Sequence, residues 1–332
     1  MPNFLLLALA IVPLAVLLAP RFVEPYKLWD PTVLNNVGQG ERQTKWCNMG
    51  WWEDTDNFPT AAKTLGERLL DFAKEGGYQG GGNVLDIGHG AGESLLLHLS
   101  SPSPPKHLHG LTSLSSDTAQ ARLLIDKYAP DVPTPVELFT YSAQFNPTKD
   151  FDHPLNSMKG FMGEKSQVQE TFAYSDEDDI DQVQGELNLD SDNPPPYNMI
   201  YILDAIYHFP PSLRTFLDSL KPVLSHDGLV VYTDIIPPPG FAIWKSWLIS
   251  YILSVPLPNL TSRPEDLEGY RLELEKEGWK DIKVEDWSKN VWPGFAKNLI
   301  DRGGRWEKVG KAVQRVEKDG WKFIAVRIRK GD

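Results

Sequence analysis

At 332 residues, 41% hydrophobic and 11% aromatic, the chain can bury one large core, or a core with a modest subdomain, without needing a second independent domain. Its 33 basic against 45 acidic residues give a formal charge of -12, which repels polyanions and excludes a general nucleic-acid-binding surface, leaving small molecules and proteins as partners. The single cysteine, Cys47, excludes an internal disulfide framework and a cysteine-rich metal site; with no base at an identifiable spacing, it reads as a small buried hydrophobe.

The first twenty residues, MPNFLLLALAIVPLAVLLAP, carry no charged side chain and approach the ~17-residue lower limit for a membrane-spanning helix. A cleaved signal peptide, a retained anchor and a buried helix are the three readings. No basic residue precedes the apolar run, and Pro20 follows Ala19 where cleavage would fall, so a retained anchor over residues 1–22 is expected. Arg21, Lys27 and Lys45 follow it, which by the positive-inside tendency leaves the body on the cytosolic side of a membrane, such as the endoplasmic reticulum or another endomembrane.

Residues 23–57 are rich in Trp, Asn and Pro without a sustained period and read as an irregular lead-in to a body spanning 58–332. From Phe58 to Lys74, Ala61, Leu65, Leu69 and Phe72 recur at helical spacing, and Gly76-Gly77 supplies a stop. Strand-like runs then alternate with helix-like ones. The strands are NVLDIG from Asn83, HLHGLTSL from His107, VELFTYS from Val136, YNMIYILDA from Tyr197 and GLVVYTDII from Gly228. Between them lie ESLLLHL, SSDTAQARLLIDKYA with Ser115 or Ser116 as N-cap, and SLRTFLDSLKPVLS. Late strands WKDIKVEDW at Trp279 and WKFIAVRIR at Trp321 flank a helical pattern from Arg305 to Val316. Strands apolar on both faces, alternating with helices, predict an α/β fold: a doubly wound, mostly parallel seven-stranded sheet with helices on both sides.

Two segments break the rhythm. Residues 147–196 carry acids at Asp176, Glu177, Asp178, Asp179 and Asp181, close on Pro194-Pro195-Pro196, and offer too little apolar surface to offset ordering entropy, so a disordered surface insertion is expected. Residues 240–260 are apolar but interrupted by Lys245, Pro256 and Pro258; Trp244, Trp247, Leu248, Tyr251 and Ile252 suit a helix on a membrane face, a lid over an apolar pocket, or an ordinary core helix.

The chemistry starts at VLDIGHGAGE. A glycine loop between strand and helix lets a ligand approach the backbone and presents free N–H groups. A dinucleotide fingerprint would need glycine three positions after Gly90, where Glu93 stands, and the lysine of a phosphate loop is missing. With Asp86 and Glu93 on either side, a ligand with a cationic end fits better than a pyrophosphate.

These residues resemble the first motif of class I S-adenosylmethionine-dependent methyltransferases. NMGWWED at Asn48 to Asp54, LHGLTSLSSDTAQAR, and ILDAIYHFPPSLRTFLDSLKPVLSHDGLVVYTDI resemble further segments of the small-molecule branch that includes tocopherol, sterol and cyclopropane-forming enzymes. The resemblance covers about Trp46 to Asp234 without the acidic insertion. It implies a Rossmann-like methyltransferase fold and S-adenosyl-L-methionine as cofactor, passing over Gly88, His89, Gly90 and Gly92, with Asp86 orienting the ammonium group. His89 reads as a tolerated turn residue. Where the family usually has an acidic residue for the ribose, this chain has Thr112 and Ser113; where it often has an aspartate for the adenine, Ser142, Ala143 and Gln144 stand. Neutral groups hydrogen-bond the same atoms at ~1 kcal/mol each. Trp51, with Trp46 and Trp52, either closes over the cofactor or the acceptor, or staples the lead-in to the body.

By the same resemblance, Asp204, Tyr207 and His208 face the methyl group, His208 as base and Asp204 orienting the acceptor or stabilising positive charge. The other readings are a packing histidine for His208 and core packing for Tyr207. No metal site is indicated, since His107 and His109 lack a third ligand at a recognisable spacing. Asn259-Leu260-Thr261 matches a glycosylation acceptor, which a cytosolic body would leave unmodified. The expected activity is methyl transfer to a lipophilic or amphipathic small molecule at a membrane. The alternative is a methyltransferase-like scaffold, weak or inactive in catalysis, that binds protein partners through its acidic insertion.

Overall fold

The computed structural model describes residues 31–35, 42–146, 148–156, 197–240, 255, 259 and 262–331. The proposed anchor, most of the acidic insertion and most of the apolar segment 240–260 lie outside the described residues. Among the described residues no helix is long and apolar enough to cross a membrane.

A short α1 (Pro31–Leu34) precedes α2 (Phe58–Glu75), which is capped by Asn57 accepting from the Thr60 amide and stops at Gly76. There follow β1 (Asn83–Ile87), α3 (Glu93–Leu99), β2 (His107–Thr112), α4 (Ser115–Tyr128), β3 (Val136–Thr140) and β4 (Tyr197–Ile202). After a 3-10 turn at Ile206–His208 come α5 (Leu213–Leu220), β5 (Leu224–Ile236), α6 (Leu267–Lys276) and β6 (Trp279–Asp286). The chain ends in α7 (Ser288–Asp301), α8 (Gly304–Lys318) and β7 (Lys322–Lys330).

The seven strands form one sheet in the order β3-β2-β1-β4-β5-β7-β6. Strands β1 to β5 pair in parallel, and β7 runs antiparallel to both β5 and β6. Because side chains alternate along a strand, the sheet carries two cores. Val84, Met199, Tyr201, Val231 and Phe323 pack with α2, α7 and α8 on one face. Leu85, Ile200, Val230, Tyr232 and Ile324 pack with α5 and α6 on the other. Strand order reverses between β1 and β4, so a crevice opens at their carboxyl ends, where loops are free to carry ligand groups.

Four expectations need correction. The N-cap of α4 is Leu114, with no side-chain cap bond, instead of Ser115 or Ser116. Two helices, α7 and α8, stand between β6 and β7 where the sequence pattern gave one. Residues 148–156 of the expected disordered insertion form turns packed on the body: His153 and Leu155 are buried, and His153 Nε2 lies 2.8 Å from the Ser142 carbonyl. Cys47 is exposed, not buried.

Candidate cofactor and acceptor site

The glycine loop follows β1 directly. The Gly88 amide donates to the Leu111 carbonyl at 2.7 Å, pinning the loop to β2. Gly88 and Gly92 have positive φ, and a Cβ on either would fall 2.6 Å from the Ala205 Cβ and 2.7 Å from the Ala121 Cβ respectively. Packing therefore demands glycine at those two positions. Gly90 differs: a Cβ there would meet nothing within 4 Å. Gly90, also at positive φ, thus faces open space, so its backbone can be approached by a ligand.

Asp86 is buried on the α3 side of β1, and neither carboxylate oxygen is hydrogen-bonded among the described residues. Its nearest basic group is His98 Nε2 of α3, at 3.6 Å. Glu93 fills the place a dinucleotide site gives to glycine and has a different task. It accepts from Arg42 at 2.7 Å and from the Lys45 amide at 2.9 Å, which holds the lead-in against the start of α3.

At the tip of β2, Thr112 is buried and Ser113 exposed. His89 reaches over β2 and lies against Gly110, with neither ring nitrogen hydrogen-bonded among the described residues; burial lowers its pKa. Asp117, in the first turn of α4, hydrogen-bonds Thr112 and interacts electrostatically with His89 and Lys45; burial raises its pKa, and those three neighbours oppose the rise. Asp117 was not among the residues singled out from sequence, because an acid in the first turn of a helix reads as complement to the helix dipole. Its place sets a carboxylate beside Thr112 at the β2 tip. Ser142 and Gln144 lie exposed just past β3 with Ala143 buried between them, and the Tyr141 amide donates to the Thr112 carbonyl, bringing this loop alongside the β2 tip. The Trp51 ring packs edge-on to Trp287 at 5.3 Å, with the Arg68 guanidinium 5.2 Å from its centre.

On the other side of the crevice stands Asp204, buried just past β4 in a left-handed backbone conformation that few non-glycine residues adopt. Its amide donates to Thr233 Oγ1 of β5 at 2.8 Å. Its carboxylate accepts from the Tyr207 hydroxyl at 2.6 Å and from the Met49 amide at 2.7 Å. Burial pushes the Asp204 carboxyl up to about 6, against the pull of the bonds from Tyr207 and Met49. The His208 ring lies 4.5 Å from the Tyr207 ring. Cys47 interacts electrostatically with both Asp204 and Asp117. Asn259 is buried, its amide donating to the carbonyls of Tyr207 and Phe209, so in the folded chain it is not open to a glycan.

No family model matches the chain, and no curated protein matches it by sequence. Solved structures do. A protein from Galdieria sulphuraria, assigned provisionally as a sarcosine dimethylglycine methyltransferase, is 12% identical, with a TM-score of 0.59 over 86% of this chain and 93% of that one. Geranyl diphosphate C-methyltransferase from Streptomyces coelicolor A3(2), in complex with geranyl diphosphate and S-adenosyl-L-homocysteine, is 12% identical with a TM-score of 0.56 over 93% and 99% of the two chains. The [4+2]-cyclase SpnF is 15% identical with a TM-score of 0.54 over 97% and 96%. What these likenesses establish, together with the strand order, is the Rossmann-like methyltransferase fold.

Proposed function

We propose that this chain is a class I S-adenosyl-L-methionine-dependent methyltransferase acting on a small molecule. The observation that carries the reading is the glycine turn after β1, whose Gly90 backbone faces open space at the end of the sheet where the strand order reverses. Gly88 to Gly92 would carry the methionine part of the cofactor, with Asp86 behind them. Thr112 and Asp117, with His89 alongside, would take the ribose hydroxyls, since a carboxylate and a hydroxyl can both accept from a diol. Ser142 to Gln144 would border the base. When bound, the cofactor supplies an electrophilic methyl group on a sulfonium sulfur.

The chain's own residues supply alignment and charge. Asp204 is a desolvated carboxylate, so it favours a cation beside it more strongly than it would in water. The Tyr207 hydroxyl is committed to Asp204 and fixes its orientation. His208 is the candidate to take a proton from an acceptor that has one to lose. The apolar residues of 240–260 and the expected anchor at 1–22 motivate a lipophilic or amphipathic acceptor met at a membrane.

The test is calorimetry of the full chain with S-adenosyl-L-homocysteine, followed by transfer of labelled methyl from S-adenosyl-L-methionine into a total membrane lipid extract. Binding is expected, with loss in Gly90→Asp, whose carboxylate would block that approach to the backbone, and at least tenfold weakening in Asp117→Ala, a charged acceptor giving roughly 1.5–3 kcal/mol. No binding by the parent chain sinks the reading. Binding without any labelled product would instead favour the scaffold alternative, on a fold shared with a cyclase.

A further inference from the structure

Thr233 and Asp234 are consecutive residues near the carboxyl end of β5, both fully buried. Thr233 holds the Asp204 backbone from one side. Asp234 begins a second path to the same turn. Its Oδ2 accepts from Arg263 Nε and from the Tyr270 hydroxyl, each at 2.7 Å, and its Oδ1 accepts from the Ile235 amide at 2.8 Å. Arg263, almost wholly buried, donates from Nη1 to the Asn259 carbonyl at 3.2 Å. Asn259 then donates its side-chain amide to the carbonyls of Tyr207 and Phe209 at 2.9 and 3.0 Å.

A buried ion pair is a poor way to gain stability, because desolvation offsets most of its attraction and an apolar pair of similar volume often does as well. Its geometry, however, is fixed: the guanidinium fork meets the carboxylate from two nitrogens. The third guanidinium nitrogen, Nη1, meets Asn259, and Asn259 ends on the two carbonyls that flank His208. We propose that Asn259, backed by the Arg263–Asp234 pair, is a positioning residue that sets the Tyr207–Asp204 hydrogen bond and the direction of His208. It touches neither cofactor nor acceptor; it acts through the turn at Ile206–His208. The proposal rests on the methyltransferase reading for its effect on turnover, and on geometry alone for its effect on Asp204.

The test uses Asn259→Leu, which keeps the branched outline at a larger volume and removes the amide, Arg263→Lys, which keeps the charge and removes the fork, and Asn259→Gln as the conservative variant. The first readout is the titration of the Asp204 carboxyl by carbon-13 NMR on the full chain. The groups facing Asp204 are the Tyr207 hydroxyl, the Met49 amide and the Cys47 thiol. The Tyr207 bond favours the ionised form, so loosening it moves the midpoint upward in Asn259→Leu and Arg263→Lys, with partial return in Asn259→Gln. The second readout is affinity for S-adenosyl-L-homocysteine, expected to stay within about threefold, since the glycine loop is untouched. The third is turnover, expected to fall by roughly tenfold to a hundredfold, the scale of a small misalignment. An unchanged Asp204 midpoint in both Asn259→Leu and Arg263→Lys overturns the proposal. So does cofactor affinity falling in step with melting temperature, which marks a merely structural role. If the parent transfers no methyl group, the functional reading fails, while the NMR titration still decides the positioning.

Discussion

Asp204 is a carboxylate that the fold makes costly to ionise, and this has a definite pH signature. Its folded pKa, about 6, stands above the ordinary carboxylate value of 3.8 because of burial. Between those two values the folded chain retains a proton that the unfolded chain has released, so stability falls as pH rises through this window and levels off above it. The full cost is about 3 kcal/mol at ~1.4 kcal/mol per pKa unit. Asp204→Asn removes the charge and can still accept from Met49 and meet Tyr207. Denaturant titration is expected to show the variant more stable than the parent at pH 8 by up to that amount, with the difference shrinking to nothing near pH 4. A difference that is constant with pH, or that grows toward acid, contradicts this account. The clustering of Asp204, Tyr207 and His208 just past β4 was legible in the sequence because they follow an apolar strand. Asp117 was hidden by its helical position, and the Met49 amide by being backbone. Asn259 was misleading, since a three-residue motif says nothing about whether its amide is already engaged.

Strands proved more legible than helices because short, largely apolar segments buried on both faces stand out from their surroundings, as in β1, where only Asn83 and Asp86 are polar, and β4, where only Asn198 is. Helix α7 was missed because Pro293 and Gly294 sit in its middle, a pair that ordinarily breaks a helix. Tertiary packing overrides that preference: Val291, Trp292 and Leu299 are fully buried in the core beneath it. Gly294 has its own purpose. A Cβ there would fall 2.1 Å from the Trp52 Cβ, and the Trp52 amide donates to the Asn290 carbonyl of the same helix at 2.8 Å. The helix is thus the seat of the lead-in, and the Trp52 indole donates onward to the carbonyl of Met49, whose amide holds Asp204. Gly294→Ala is expected to lower the urea midpoint by the equivalent of roughly 1–3 kcal/mol, the usual cost of overpacking. It should also slow methyl transfer by displacing Met49. A midpoint equal to that of the parent would mean that the lead-in shifts freely, and that its contact with α7 does not govern the site.

Over the whole molecule, the fold closes by joining its first long helix to its last strand, a contact invisible to any local pattern because it spans some 250 residues of sequence. Arg327 of β7 is buried, donates to the Phe72 carbonyl near the end of α2 at 3.0 Å, and lies 5.1 Å from the centre of the Phe72 ring. Arg329 reaches the Gly76 carbonyl beside it. A Cβ on Gly76 would fall 2.3 Å from the Arg327 Cδ, so the glycine read in the sequence as a helix stop also makes room for this arginine. The seam joins the end of α2 to a strand that contributes to both cores, Phe323 and Ala325 on one face and Ile324 and Val326 on the other. The two faces are therefore expected to unfold together. Arg327→Met preserves apolar contact with Phe72 but leaves the Phe72 carbonyl with only the long 3.4 Å bond from the Gly76 amide, at a cost of about 1 kcal/mol. Far from the crevice, the change should leave affinity for S-adenosyl-L-homocysteine as it was. In urea, far-ultraviolet circular dichroism and tryptophan fluorescence should report a single shared transition at a lower midpoint with an unchanged slope. Separate transitions by the two probes, in parent or variant, would show that the two sides of the sheet fold independently and that the seam does not couple them.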